Sequence, residues 1–81
     1  MPTLRRVLIV DDEENIGRSL AMILEREGYQ VSVCNSATSF RSQNGRADVY
    51  LLDVKLPDGN GIDLLRSLRA AGSDAPVVMI S

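Results

Sequence analysis

The sequence predicts an α/β fold, a doubly wound parallel sheet with helices on its faces, and three observations carry that prediction. The apolar runs Val7–Val10 and Val49–Leu52 show no alternation, the pattern of strands buried on both faces. Segments with helical spacing of apolar residues lie between and after them. Strand and helix alternate along the chain as βαβαβαβ, an order that demands right-handed crossovers and a covered sheet.

The first strand runs from Arg5 to Val10 and stops at Asp11-Asp12. From Glu14 to Glu27 the residues Ile16, Leu20, Ile23 and Leu24 fall at i, i+4, i+7 and i+8, one stripe of an amphipathic helix, and Gly28 supplies its C′ position. Tyr29 to Cys34 alternates apolar with polar, as an edge strand with one wetter face does. Asn35 and Ser36 suit a turn and an N-cap. Ala37 to Gln43 reads as a short polar helix anchored by Phe40 and ended by Asn44-Gly45. The third strand, Asp48 to Asp53, is again apolar and ends on a carboxylate. Leu56-Pro57-Asp58-Gly59 is a turn with Pro at its second position, and Asn60 with Asp63 fits a capping box. Ile62, Leu65, Leu68 and Ala70 or Ala71 mark the inner face of the next helix, which Gly72 closes. Pro76 to Ser81 is the fourth strand.

Eighty-one residues make one small domain, and 44 % hydrophobic with 25 % charged residues excludes disorder. A net charge of -2 leaves no basic excess, so no direct contact with nucleic acid or an anionic membrane is expected. The absence of His and the single Cys34 exclude intrachain disulfides, His triads and His/Cys zinc cages. Cys34 reads as a small core or edge residue, and a reducing cytoplasm is the expected location. No apolar run approaches the ~20 residues that span a bilayer.

In a parallel sheet, ligands bind outside the carboxyl ends of the strands. Asp11 and Asp12 follow the first strand, Asp53 follows the third and Ser81 ends the fourth, so the topology gathers all four at one edge. Carboxylates within ~5 Å repel by roughly 3 kcal/mol per charged pair at an effective dielectric of ~20, so the cluster must bind a cation or partly protonate. A donor set of oxygen alone favours Mg²⁺, which keeps water and meets phosphate oxygens, so a phosphorylated ligand or side chain is the expected partner. Taken singly, these residues have plainer readings. Asp11 to Glu14 would favour a helix N-terminus, at ~0.3 to 1 kcal/mol each. Asp53 would sit in a turn, Asp58 and Asn60 serve as turn and cap, and Arg66 and Arg69 lie on a solvated face.

Three stretches together resemble the receiver domain of bacterial two-component response regulators: Val7-Leu8-Ile9-Val10-Asp11-Asp12-Glu13-Glu14, Val49 through Gly61, and Pro76 to Ser81. The resemblance spans residues 1–81 and implies a flavodoxin-like sheet of strand order 2-1-3-4. It further implies that Asp53 is the phosphoacceptor and that Asp12 ligates Mg²⁺ with support from Asp11. The backbone carbonyl of Lys55 would add a ligand, and Ser81 would be the switch hydroxyl that bonds the phosphoryl group. The implied partners are a sensor histidine kinase and an attached output domain, with transcription the expected output. The family pattern continues through a further helix, a fifth strand carrying an essential Lys and a final helix. Residues 1–81 therefore read as a partial receiver, not an enzyme, with self-phosphotransfer impaired and a raw sheet edge that invites self-association.

Other classes fit less well. Phosphatases of the haloacid dehalogenase group want a second acid two residues after the nucleophile, where Lys55 stands. A nucleotide-binding domain wants a Gly-rich loop where Asp11-Asp12 stand. A receiver fold used only for dimerisation, without phosphorylation, remains the alternative.

Overall fold

The computed structural model describes residues 5–43 and 46–80. Its elements run β1 (Arg6–Val10), α1 (Glu14–Arg26), β2 (Gln30–Cys34), α2 (Ala37–Ser42), β3 (Val49–Leu52), β4 (Lys55–Leu56), β5 (Gly59–Asn60), α3 (Gly61–Ala70) and β6 (Val77–Met79). Four strands form one sheet in the order β2-β1-β3-β6, every neighbouring pair parallel. This is the predicted order, with Tyr29–Cys34 at an edge as its alternation implied. The Pro57-Asp58 turn closes a small antiparallel ladder of β4 with β5, where the sequence suggested a turn alone. The predicted helix end at Asn44-Gly45 lies outside the described residues.

The register explains the core. Val10 pairs with Cys34 on one side and Leu52 on the other, and Leu8 pairs with Tyr50. Alternation along the strands then sends Leu8, Val10, Cys34, Tyr50 and Leu52 to one face, where they pack with Ala37 and Leu64. Each fully buried aliphatic side chain there contributes about 1.5–3 kcal/mol. Phe40 meets the Tyr50 ring edge-to-face, with centroids 6.1 Å apart. Both long helices end as their glycines predicted. Gly28 and Gly72 take φ of 95° and 90°. The amides that follow reach back to Leu24 and Leu68, closing two Schellman motifs.

Two predicted helix faces are rotated in the structure. In α1, Ile16 and Ile23 are 47 % and 59 % exposed, while Gly17 is buried and Leu20, Ala21 and Leu24 are half-buried. The cause is close approach: a Cβ on Gly17 would stand 3.0 Å from Val33 Cγ1, so the helix meets the sheet at its glycine. In α3 the inward residue is Leu64, fully buried, flanked by half-buried Leu65 and Leu68. Ile62 is 46 % exposed, and Ala70 and Ala71 face solvent. Gly61, wedged beneath the end of β3, sets that rotation.

Candidate functional site

The carboxyl ends of the strands are tied together by backbone bonds that carry the ladder one residue past each strand. The Asp11 amide donates to Cys34 O (3.0 Å), the Asp53 amide to Val10 O (2.8 Å) and the Ile80 amide to Leu52 O (2.9 Å). Asp11 and Asp53 thus leave rigid neighbouring strands side by side. Their carboxylates are oriented from below as well: Asp11 Oδ1 accepts from the Glu13 amide (2.8 Å) and Asp53 Oδ1 from the Lys55 amide (3.2 Å).

Asp11, Asp12 and Asp53 each bring a carboxylate oxygen into a group whose members all lie within 4.8 Å of one another. Asp11 and Asp53 are buried, and Asp12 is exposed. Burial holds the Asp11 carboxyl above its ordinary pKa, against the pull of the Glu13 amide; the neighbouring Asp53 and Asp12 push it the same way as burial. Two buried acids and a third at their mouth form a negative, oxygen-only pocket that fits a hard divalent cation. All three predicted carboxylates are therefore brought together. Lys55 follows at the base of the β4–β5 hairpin with its side chain exposed. Ser81 lies outside the described residues.

Two site features escaped the sequence reading. The first is Gly61: a Cβ there would stand 2.3 Å from the Asp53 carbonyl oxygen, so only glycine lets α3 start directly under the cluster. The second is Asp58, whose carboxylate reaches α2 (Ala37 N 2.7 Å, Thr38 N 2.8 Å) in addition to holding its turn. The spacing of 20 and 21 residues left no local signal for it. A broad concavity lies at the opposite end of the sheet, between α2 and α3, over Phe40, Tyr50 and Leu68. Among the described residues, the acidic cluster lies at the carboxylate edge and not in this concavity.

Residues 7–81 match the family model of the response regulator receiver domain. The chain belongs to that family. The receiver is 40 % identical over 77 residues to the transcriptional regulatory protein YkoG of Bacillus subtilis, covering 93 % of this chain and 34 % of that protein. It is 39 % identical over 84 residues to the DNA-binding response regulator MtrA of Mycobacterium tuberculosis, covering 100 % of this chain and 36 % of MtrA. It spans about a third of the length of these curated relatives. Among solved structures it superposes with a TM-score of 0.87 on Thermotoga maritima TrrA in complex with Mg(2+)-BeF, at 28 % identity, covering 94 % of this chain and 68 % of that one. The non-phosphorylated HemR receiver domain of Leptospira biflexa gives 0.82 at 32 % identity, covering 90 % and 60 %. The receiver is a regulatory domain of the signalling class rather than a classical enzyme. No helix among its described residues is long and apolar enough to cross a membrane.

Proposed function

We propose that this receiver accepts a phosphoryl group on Asp53 from the phosphohistidine of a partner sensor kinase and passes the changed state to an output domain. The observation that carries the reading is the buried pair Asp11 and Asp53 meeting Asp12 within 4.8 Å at the carboxyl edge of the sheet. Asp11, Asp12, Asp53 and the Lys55 carbonyl are the residues that hold Mg²⁺ in this proposal. The ion, when bound, neutralises charge on the phosphoryl oxygens.

The chain's own residues supply the nucleophile and its aim. The Lys55 amide fixes the Asp53 carboxylate through Oδ1. A carboxylate oxygen attacks phosphorus, the new O–P bond forms in line as the donor's P–N bond breaks, and the imidazole leaves with a proton. The product places a dianionic group at the sheet edge, which the Ser81 hydroxyl is proposed to bond, shifting a two-state surface. The names of YkoG and MtrA support a transcriptional output, and a cytoplasmic location is proposed with it.

Intact mass after incubation with a small phosphodonor and Mg²⁺ tests the reading. The chain gains one phosphoryl group, and Asp53→Asn gains none. Modification that persists in Asp53→Asn would move the acceptor to another residue, and no modification with the donor in excess would leave the receiver as an interaction module without phosphorylation.

A further inference from the structure

We propose that Asp58 is a positioning residue for the phosphoacceptor site, a clamp that ties the tip of the β4–β5 hairpin to the first turn of α2 and thereby holds the Lys55 peptide and Gly61 against Asp53. The inference rests on the phosphoacceptor reading and adds to it a residue that touches neither metal nor phosphoryl group.

The path from Asp53 back to the core is short and has few supports. The chain leaves β3 at Asp53, pairs Lys55 with Asn60 and Leu56 with Gly59, and returns at Gly61, whose amide donates to Val54 O (2.9 Å). A two-residue ladder is too small to stand alone in water, so its tilt depends on what grips it. At its tip the Asp58 carboxylate accepts from the Ala37 amide through Oδ1 and from the Thr38 amide through Oδ2. The Thr38 hydroxyl donates to the same Oδ2. Beside it Gly59 lies so close to α2 that a Cβ would stand 3.2 Å from Ala37 Cβ, and Leu56 packs on the core.

The clamp works in both directions. A helix leaves its first amides without intrahelical partners, and α2 is only six residues long. Ser36 Oγ takes the Ser39 amide (3.0 Å), while Asp58 takes those of Ala37 and Thr38. The first three amides of α2 are therefore divided between a local cap and a cap delivered from the hairpin. The Thr38 hydroxyl and these amides hold the Asp58 carboxyl below its ordinary pKa, so at neutral pH it is an ionised, charge-assisted acceptor. Loss of Ser36 Oγ weakens α2 alone. Loss of the Asp58 carboxylate weakens α2 and also frees the hairpin at whose base Lys55 sits.

That difference provides the test. Mg²⁺ affinity by calorimetry and amide hydrogen exchange by NMR are measured on the 81-residue chain, on Asp58→Ala, on Asp58→Asn and on Ser36→Ala. Asp58→Ala is expected to bind Mg²⁺ roughly 10-fold more weakly, the low end for residues that support a metal site from outside it. The Lys55 and Gly61 amides should exchange faster in Asp58→Ala, and Asp58→Asn should recover part of both effects. Ser36→Ala should speed exchange in α2 and leave Mg²⁺ affinity and the Gly61 amide unchanged. Equal effects of Asp58→Ala and Ser36→Ala, or unchanged Gly61 exchange in Asp58→Ala, overturn the clamp. A wild-type chain that binds no Mg²⁺ overturns the metal-site reading instead, and the exchange data still decide whether Asp58 holds the hairpin.

Discussion

Asp11 bears an electrostatic cost, being buried beside one carboxylate and within reach of another. Two charges 4.8 Å apart repel by roughly 3 kcal/mol at an effective dielectric near 20, and solvent at Asp12 removes part of that. Asn in place of Asp11 keeps an oxygen for the Glu13 amide and removes the repulsion. Asp11→Asn should therefore make the metal-free chain more stable at neutral pH, by on the order of 1 kcal/mol, while cancelling the stabilisation that Mg²⁺ brings. Urea titrations in chelator and in Mg²⁺ check this, and a less stable Asp11→Asn in chelator would refute it. The pH dependence has a definite sign. Because Asp11 is raised above its ordinary 3.8, the folded chain holds that proton more tightly than the unfolded chain. Metal-free stability thus falls as the pH climbs through the window above 3.8. Asp58 acts in the opposite sense: its contribution is complete above 3.8 and fades as the pH drops below it. The carboxylate cluster was legible in the sequence because Asp11 and Asp53 directly follow apolar strands and Asp12 comes next after Asp11. The work of Asp58 was not, because its partners lie 20 and 21 residues away.

At the level of elements, the start of α3 joins packing to chemistry. Gly61 is buried against the Asp53 backbone, and a methyl group there meets the Asp53 carbonyl oxygen at 2.3 Å and Met79 Cε at 2.8 Å. Met79 can move, but the carbonyl is held by the strand. Gly61→Ala should cost about 1–3 kcal/mol of stability and displace Asp53, with loss of phosphorylation. Gly72→Ala provides the contrast: its positive φ of 90° penalises a side chain by about 1 kcal/mol, yet nothing lies within 4 Å and the site is remote. Chemical denaturation paired with intact mass separates the two, and full phosphorylation of a folded Gly61→Ala would contradict the argument. The same glycines show where sequence reading stopped. Periodicity found every helix and main strand, and both Schellman glycines, because hydrophobic spacing and turn chemistry are local. It misplaced the inner faces of α1 and α3, because each is set by a glycine at closest approach, Gly17 on Val33 and Gly61 on Asp53, and a missing side chain adds nothing to a hydrophobic stripe.

Over the whole molecule, the two faces of the sheet are unequally covered. The face under α2 and α3 holds the continuous core of Leu8, Val10, Tyr50, Leu52 and Leu64. Among the described residues, α1 is the helix that covers the other face. On that side Val78, opposite Leu51 in the register, is 49 % exposed, and Val33 on the far edge strand is also exposed. Ile16 and Ile23 of α1 are exposed as well. Among the described residues β6 is also an unpaired sheet edge, three residues long and without a charge. Apolar rim and open edge together are what a neighbouring copy can pair with and cover. The 81-residue chain should therefore self-associate with rising concentration. Ile23→Lys with Val78→Lys should shift it toward monomer and leave the acidic cluster intact, since neither residue belongs to it. Sedimentation velocity over a hundredfold range of concentration reads the first effect, and phosphodonor labelling of the same samples reads the second. A cooperative monomer at the highest concentration would mean that α1 and the sheet satisfy this face unaided. Association that survives both substitutions would place the contact elsewhere.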